Sequence, residues 1–141
     1  MILDAFSLQG KVAVVTGCDT GLGQGMAVGL AEAGCDIVGI NIVEPTETIE
    51  RVTALGRRFL SLTADLRLID GIPQLLERAV AEFGHIDILV NNVGGIVGRK
   101  WLGEIDRAFW QTVIDVNMTT MLNVTQSALP FLKAANGASI V

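Results

Sequence analysis

The sequence has 141 residues, half of them hydrophobic and 18% charged, with a net charge of -5. That length can bury a core and that composition excludes a disordered chain, while the acidic balance, with no basic stripe, argues against nucleic acid or an anionic membrane surface as partner. No stretch approaches the roughly 18 apolar residues of a membrane span, and the opening MILDAFSLQGK lacks a basic region followed by an apolar run. Cys18 and Cys35 are too few for a disulfide framework and show no metal-ligand spacing. Both read as reduced thiols in a cytoplasmic protein without a metal site.

Short apolar runs alternate with amphipathic stretches. KVAVVT (11–16), DIVGIN (36–41), FLSLTA (59–64), IDILVN (86–91) and ASIV (138–141) have the near-continuous apolar or β-branched character of parallel strands covered on both faces. Helical patterns fall between them, over about 22–33, 46–56, 71–83 and 105–135. Asp70 is the expected N-cap of the third, with Pro73 in its first turn. Pro130 is expected to kink or end the fourth. Trp101, Phe109, Trp110, Met118 and Met121 fit a packed helix face. Asn117-Met-Thr and Asn123-Val-Thr match the N-glycosylation pattern within this helical stretch and read as chance. Strand and helix repeated in this way predict a single α/β domain over 1–141, with right-handed crossovers and a doubly wound parallel sheet.

Directly after the first strand comes TGCDTGLGQG, Thr16 to Gly25, a Gly-x-x-x-Gly-x-Gly pattern between a strand and a helix. Gly17 lets the chain turn off the strand, Gly21 lets the backbone approach a pyrophosphate, and Gly23 lets the helix start lie against the sheet. Free N–H groups at the helix start then face the phosphates. Asn41, ending the second strand, stands where the adenosine ribose is read. No Arg or Lys is in the loop or just after that strand, whereas Asp19 and Glu44 are near. The expected cofactor is therefore NAD rather than NADP.

These residues resemble the short-chain dehydrogenase/reductase family. The matching pieces are Thr16-Gly17-x-x-x-Gly21-x-Gly23, Asp65-Leu66 after the third strand, Asn91-Asn92-Val93-Gly94 after the fourth, and Asn117 in the long helix. The resemblance implies a Rossmann-type sheet in strand order 3-2-1-4-5, truncated after the fifth strand. It implies a cofactor site of Thr16, Gly17, Asp19, Gly21, Leu22, Gly23, Asn41, Asp65, Leu66, Asn91, Asn92 and Gly94. Asp65 would sit beside the adenine amino group. Asn91 and Asn92 would stabilise the sheet and line the cleft, and Asn117 would hold a water in a proton relay. Val93 replaces the family's usual Ala, so the cleft is expected to be tighter there. An Asn pair at a strand end is also a common turn device.

Residues 1–92 resemble a sugar-acid branch of this family, and 93–141 look like a different branch. A recombined chain and divergence within one lineage both fit that pattern. The family's chemistry is hydride transfer at a carbonyl, with a Tyr as acid/base, a Lys four residues later and a Ser past the fifth strand. This sequence has no tyrosine. Ser139 lies inside the fifth strand and reads as a sheet residue. His85 reads as an exposed loop residue, and Asp87 and Asp115 show no partner for acid/base work. Two readings stay open: the NAD-binding part of an oxidoreductase acting on a keto or hydroxy sugar acid, or an inactive half-size module that binds NAD or only self-associates. Either is expected to form a homo-oligomer.

Overall fold

The computed structural model describes every residue from Met1 to Val141. In chain order the elements are β1 (Val12–Thr16), α1 (Gly21–Glu32), β2 (Asp36–Asn41), α2 (Thr46–Ala54), β3 (Phe59–Thr63), α3 (Ile72–Phe83), β4 (Ile88–Val90), α4 (Arg107–Ile114), α5 (Thr120–Ala134) and β5 (Ser139–Ile140). The five strands form one sheet in the order β3-β2-β1-β4-β5, and every pairing is parallel. This is the expected strand order.

The apolar runs explain why β1 is central. All five of its residues are buried. Alternation along the strand sends Val12 and Val14 to one face of the sheet and Ala13 and Val15 to the other. The first face packs on Leu76 and Ala79 of α3 and on Val124, Ala128 and Leu132 of α5. The second packs on Ala27, Val28 and Ala31 of α1 and on Val52 of α2. At roughly 25 cal/mol per Å² of apolar surface, these two layers supply most of the drive to fold.

Four expectations about the helices are corrected. Asp70 does not cap α3; Gly71 occupies the N-cap in a left-handed conformation, φ +94°, where a non-glycine residue is strained. Pro73 does sit in the first turn. Pro130 does not end the last helix, which runs on to Ala134. Pro130 and Gln126 are both exposed, so water can serve the carbonyl left unpaired four residues earlier. The expected single helix over 105–135 is α4 and α5 joined by a π-helical turn, Asp115–Thr119. α4 starts at Asp106, whose carboxylate caps it by accepting from the Phe109 N–H at 2.7 Å.

The fourth correction concerns packing. α4 buries no residue, and Trp101, Trp110, Met118 and Met121 are all exposed. Of the expected packed face only Phe109 is half-buried, under the Lys100 ammonium 4.7 Å from its ring centre. Asp115 has partners after all: Gln111 Nε2 and Thr119 Oγ1 both donate to its Oδ1 at 2.9 Å.

Candidate functional site

In this strand order the winding reverses between β1 and β4, so the loops after those strands part at the carboxyl end of the sheet. A cleft of about 680 Å³ lies there. Its walls are the glycine loop, the end of β2 with Ile42 and Val43, the segment Ala64–Arg67 after β3, and Asn92, Val93 and Gly94 after β4. Of the twelve expected cofactor residues, Gly17, Asp19, Leu22, Gly23, Asn41, Asp65, Leu66, Asn92 and Gly94 line it. Thr16, Gly21 and Asn91 are not among its lining residues.

The glycine loop is built as a cradle. Gly17 turns off β1 at φ +66°. A Cβ on Gly23 would stand 2.0 Å from the Gly17 carbonyl oxygen and 2.5 Å from Asn92 Nδ2, so only glycine lets α1 begin this close to the sheet. Asn92 Nδ2 donates to that same carbonyl at 2.8 Å. Thr20 precedes α1 without a side-chain cap, which leaves the first-turn N–H groups free for an anionic ligand.

Thr16 works beneath the cleft. Its hydroxyl donates to the Val90 carbonyl at 3.3 Å and accepts the N–H groups of Asn92 and Val93, tying the ends of β1 and β4 together. Asn91 donates to Thr125 Oγ1 at 3.0 Å, and its buried Oδ1 has no partner. Val93 lines the cleft and presses toward Gly17, 3.1 Å from where a Cβ would be.

The far end holds a charge pair that sequence reading missed. Arg67 grips Asp65 through Nε and a terminal nitrogen at 2.6–3.1 Å, and its N–H adds a bond at 3.0 Å. The Arg67 hydrogen bonds hold the Asp65 carboxyl below the usual carboxylate range. Buried Asn123 donates to the Leu66 carbonyl at 3.2 Å and fixes this segment from α5. Opposite charges two residues apart after a strand were a readable signal for Arg67. Nothing local marked Asn123.

Asn41 is buried and spends its amide on the glycine loop: Oδ1 accepts the Cys18 N–H at 2.7 Å and Nδ2 approaches Cys18 Sγ at 3.6 Å. Asn117 does not line the cleft; its side chain grips the backbone of Gly95 beside it. At the opposite end of the sheet, Asp87 is buried and far from unpartnered. It accepts from Val12 N–H at 2.9 Å and from Lys11 Nζ at 3.3 Å, with His85 Nε2 at 3.0 Å. His85 is exposed as expected and also meets the Gly10 carbonyl, so this cluster braces the start of the sheet. No group of three or more His, Cys, Asp or Glu residues could hold a metal ion.

The sequence pattern described as "short chain dehydrogenase" matches residues 11–141. The chain belongs to the short-chain dehydrogenase family. As a short-chain dehydrogenase it is 68% identical over 142 residues to the 2-dehydro-3-deoxy-D-gluconate 5-dehydrogenase of Escherichia coli K12, a match covering 100% of this chain and 56% of that protein. The enzyme of the same name from Dickeya dadantii is 60% identical with the same coverage. Both matches run across position 92. The chain spans about half the length of the curated relatives it matches.

Solved short-chain dehydrogenases share the fold. A Mycobacterium marinum protein superposes with TM-score 0.92 at 28% identity, covering 99% of this chain and 57% of that one. A Mycobacterium avium carveol dehydrogenase, solved in complex with NAD, gives TM-score 0.86 at 32% identity, covering 94% and 53%. No helix here is long and apolar enough to cross a membrane.

Proposed function

We propose that this chain is the NAD-binding domain of a cytoplasmic oxidoreductase acting on a keto or hydroxy sugar acid. The observation that carries the reading is the glycine cradle and uncapped α1 start opening onto a 680 Å³ cleft at the reversal point of the sheet. The residues fit a dinucleotide. Gly17, Gly23 and the first turn of α1 would take the pyrophosphate, Leu22, Ile42 and Val43 would flank the adenosine, and Asp65 would meet the adenine. Asn92 and Gly94 would lie toward the nicotinamide. When bound, the dinucleotide supplies hydride acceptance or donation. The sugar-acid class is supported by the two relatives above, whose names state that substrate.

NAD is favoured over NADP because the one cation lining the cleft, Arg67, is committed to Asp65. Titration calorimetry with NAD tests the binding. An assay on 2-keto-3-deoxy sugar acids tests the chemistry. Micromolar to sub-millimolar affinity supports the binding reading; no heat at millimolar NAD overturns it.

A second reading is a module that binds NAD and self-associates without catalysis. The exposed Trp110, Met118 and Met121 suit contact with a second copy. Affinity for NAD without turnover, together with a dimer or larger species by light scattering, selects this reading.

A further inference from the structure

We propose that Arg67 sets which purine the base end of the cleft accepts, by competing with the base for the Asp65 carboxylate. The inference rests on the dinucleotide reading above, in which Asp65 meets the adenine. Both residues line the cleft.

Asp65 has no acceptor left to offer. Its Oδ1 takes the Arg67 backbone N–H at 3.0 Å and Nε at 2.9 Å, and its Oδ2 takes Nε at 3.1 Å and Nη2 at 2.6 Å. These contacts fill the roughly four lone-pair directions of a carboxylate. The nearby backbone acceptors are engaged as well. The Asp65 carbonyl accepts the Leu68 N–H at 3.1 Å, and the Leu66 carbonyl is held by buried Asn123. Arg67 keeps spare donors, because Nη1 has no partner within the chain. The paired state therefore offers a base a donor and no side-chain acceptor.

That state separates two kinds of purine. The 6-amino group of adenine is a donor, so adenine reaches the carboxylate only by displacing Arg67. The 6-oxo group of hypoxanthine is an acceptor and bonds the guanidinium with the pair intact. Displacement is within reach of a ligand because Arg67 is exposed and its pairing is screened by solvent. Asp115, at the start of the π-helical turn, is a second carboxylate whose charge acts on Arg67, so the displaced guanidinium stays in acidic surroundings.

The test is titration calorimetry of the full chain with NAD and with nicotinamide hypoxanthine dinucleotide, which differs from NAD only in its 6-oxo base. Both ligands carry the same charge, so salt effects on the phosphates cancel in the ratio of affinities. Arg67→Gln is expected to strengthen NAD roughly fivefold, the scale of a well-formed surface pair, and to raise its preference over the 6-oxo ligand roughly tenfold. Added salt should raise that preference in the wild type and leave it flat in Arg67→Gln. In an Asp65→Asn background, Arg67→Gln should no longer strengthen NAD. An unchanged or falling preference in Arg67→Gln overturns the assignment, as does an equal gain for NAD with and without Asp65. Circular dichroism checks folding; should a variant not fold, the wild-type salt series decides, and a flat ratio there overturns the assignment. A wild type that binds neither dinucleotide overturns the underlying reading instead.

Discussion

Asn117 clasps Gly95 from both sides: its Oδ1 accepts the Gly95 N–H at 2.8 Å while its Nδ2 donates to the Gly95 carbonyl at 3.0 Å. The second Nδ2 proton goes to the Val113 carbonyl at 2.9 Å. Both amide protons are therefore spent, and the side chain pins the loop after β4 to the π-helical turn. The same oxygen would stand 2.9 Å from a Cβ on Gly94, so the clasp also explains why the neighbouring residue is glycine.

Breaking the clasp gives the first prediction. Asn117→Ala removes three hydrogen bonds whose partners are only partly shielded from water. The expected loss is about 1–2 kcal/mol of folding stability, read from urea unfolding. Under the binding reading, NAD affinity also falls because Val93 and Gly94 lose their support. Unchanged stability would show that the clasp contributes nothing.

Two glycines of the same loop should behave differently. Gly23→Ala drives a methyl into the Gly17 carbonyl and Asn92, where neither neighbour can retreat without opening the β1–β4 end. A destabilisation of about 2–3 kcal/mol is expected, with loss of NAD binding. Gly21→Ala meets nothing within 4 Å but holds φ +59°, so only backbone strain of about 1–2 kcal/mol opposes it. Thermal unfolding of both variants, with and without NAD, checks the order.

Cys35 makes alkaline stability measurable. Burial, and then the charges of Asp87 and Asp36, push its thiol from 9.0 up to about 11. The folded chain keeps the proton more tightly than the unfolded chain. Its contribution is therefore complete below about pH 9 and is lost as pH rises from 9 toward 11. The difference is of order 2–3 kcal/mol. Urea unfolding at pH 8 and pH 10.5 should show a steeper loss in the wild type than in Cys35→Ala, and equal slopes would refute the claim.

The Asp65–Arg67 pair predicts an acid-side signature. Arg67→Gln removes the bidentate partner, so the Asp65 carboxyl should titrate at a higher pH than in the wild type. Carboxyl chemical shifts followed by NMR report this directly. Because Arg67 is exposed and Asp65 only half-buried, the effect on overall stability should be small and should shrink further in high salt.

The strands and their order were readable because five buried runs, each separated by a helical period, leave a parallel sheet as the natural arrangement. The glycine loop was readable because its spacing states a backbone requirement. What escaped the sequence were interactions between segments far apart in the chain. Thr48 holding Cys18, and Asn123 holding Leu66, join residues 30 and 57 positions apart. Asn41 shows the same limit: it lines the cleft as its position suggested, and its hold on the Cys18 N–H, 23 positions away, was not marked in the sequence. The α4 aromatics were misjudged because a hydrophobic pattern records which face is apolar and never what covers it.

The π-helical turn between α4 and α5 has a consequence for how one rod serves two ends. Such a turn holds one residue more than an α-helical turn, which rotates everything beyond it by about 100°. Upstream, α4 sends no side chain into the core; downstream, α5 sends Thr120, Asn123, Val124, Ala128 and Leu132. The extra residue thus works as a crank in the shaft. Removing one residue from 115–119 would straighten the crank, swing α4 out of phase with α5 and pull Asn117 off Gly95, so a deletion far from the glycine loop would be felt on the other wall of the cleft.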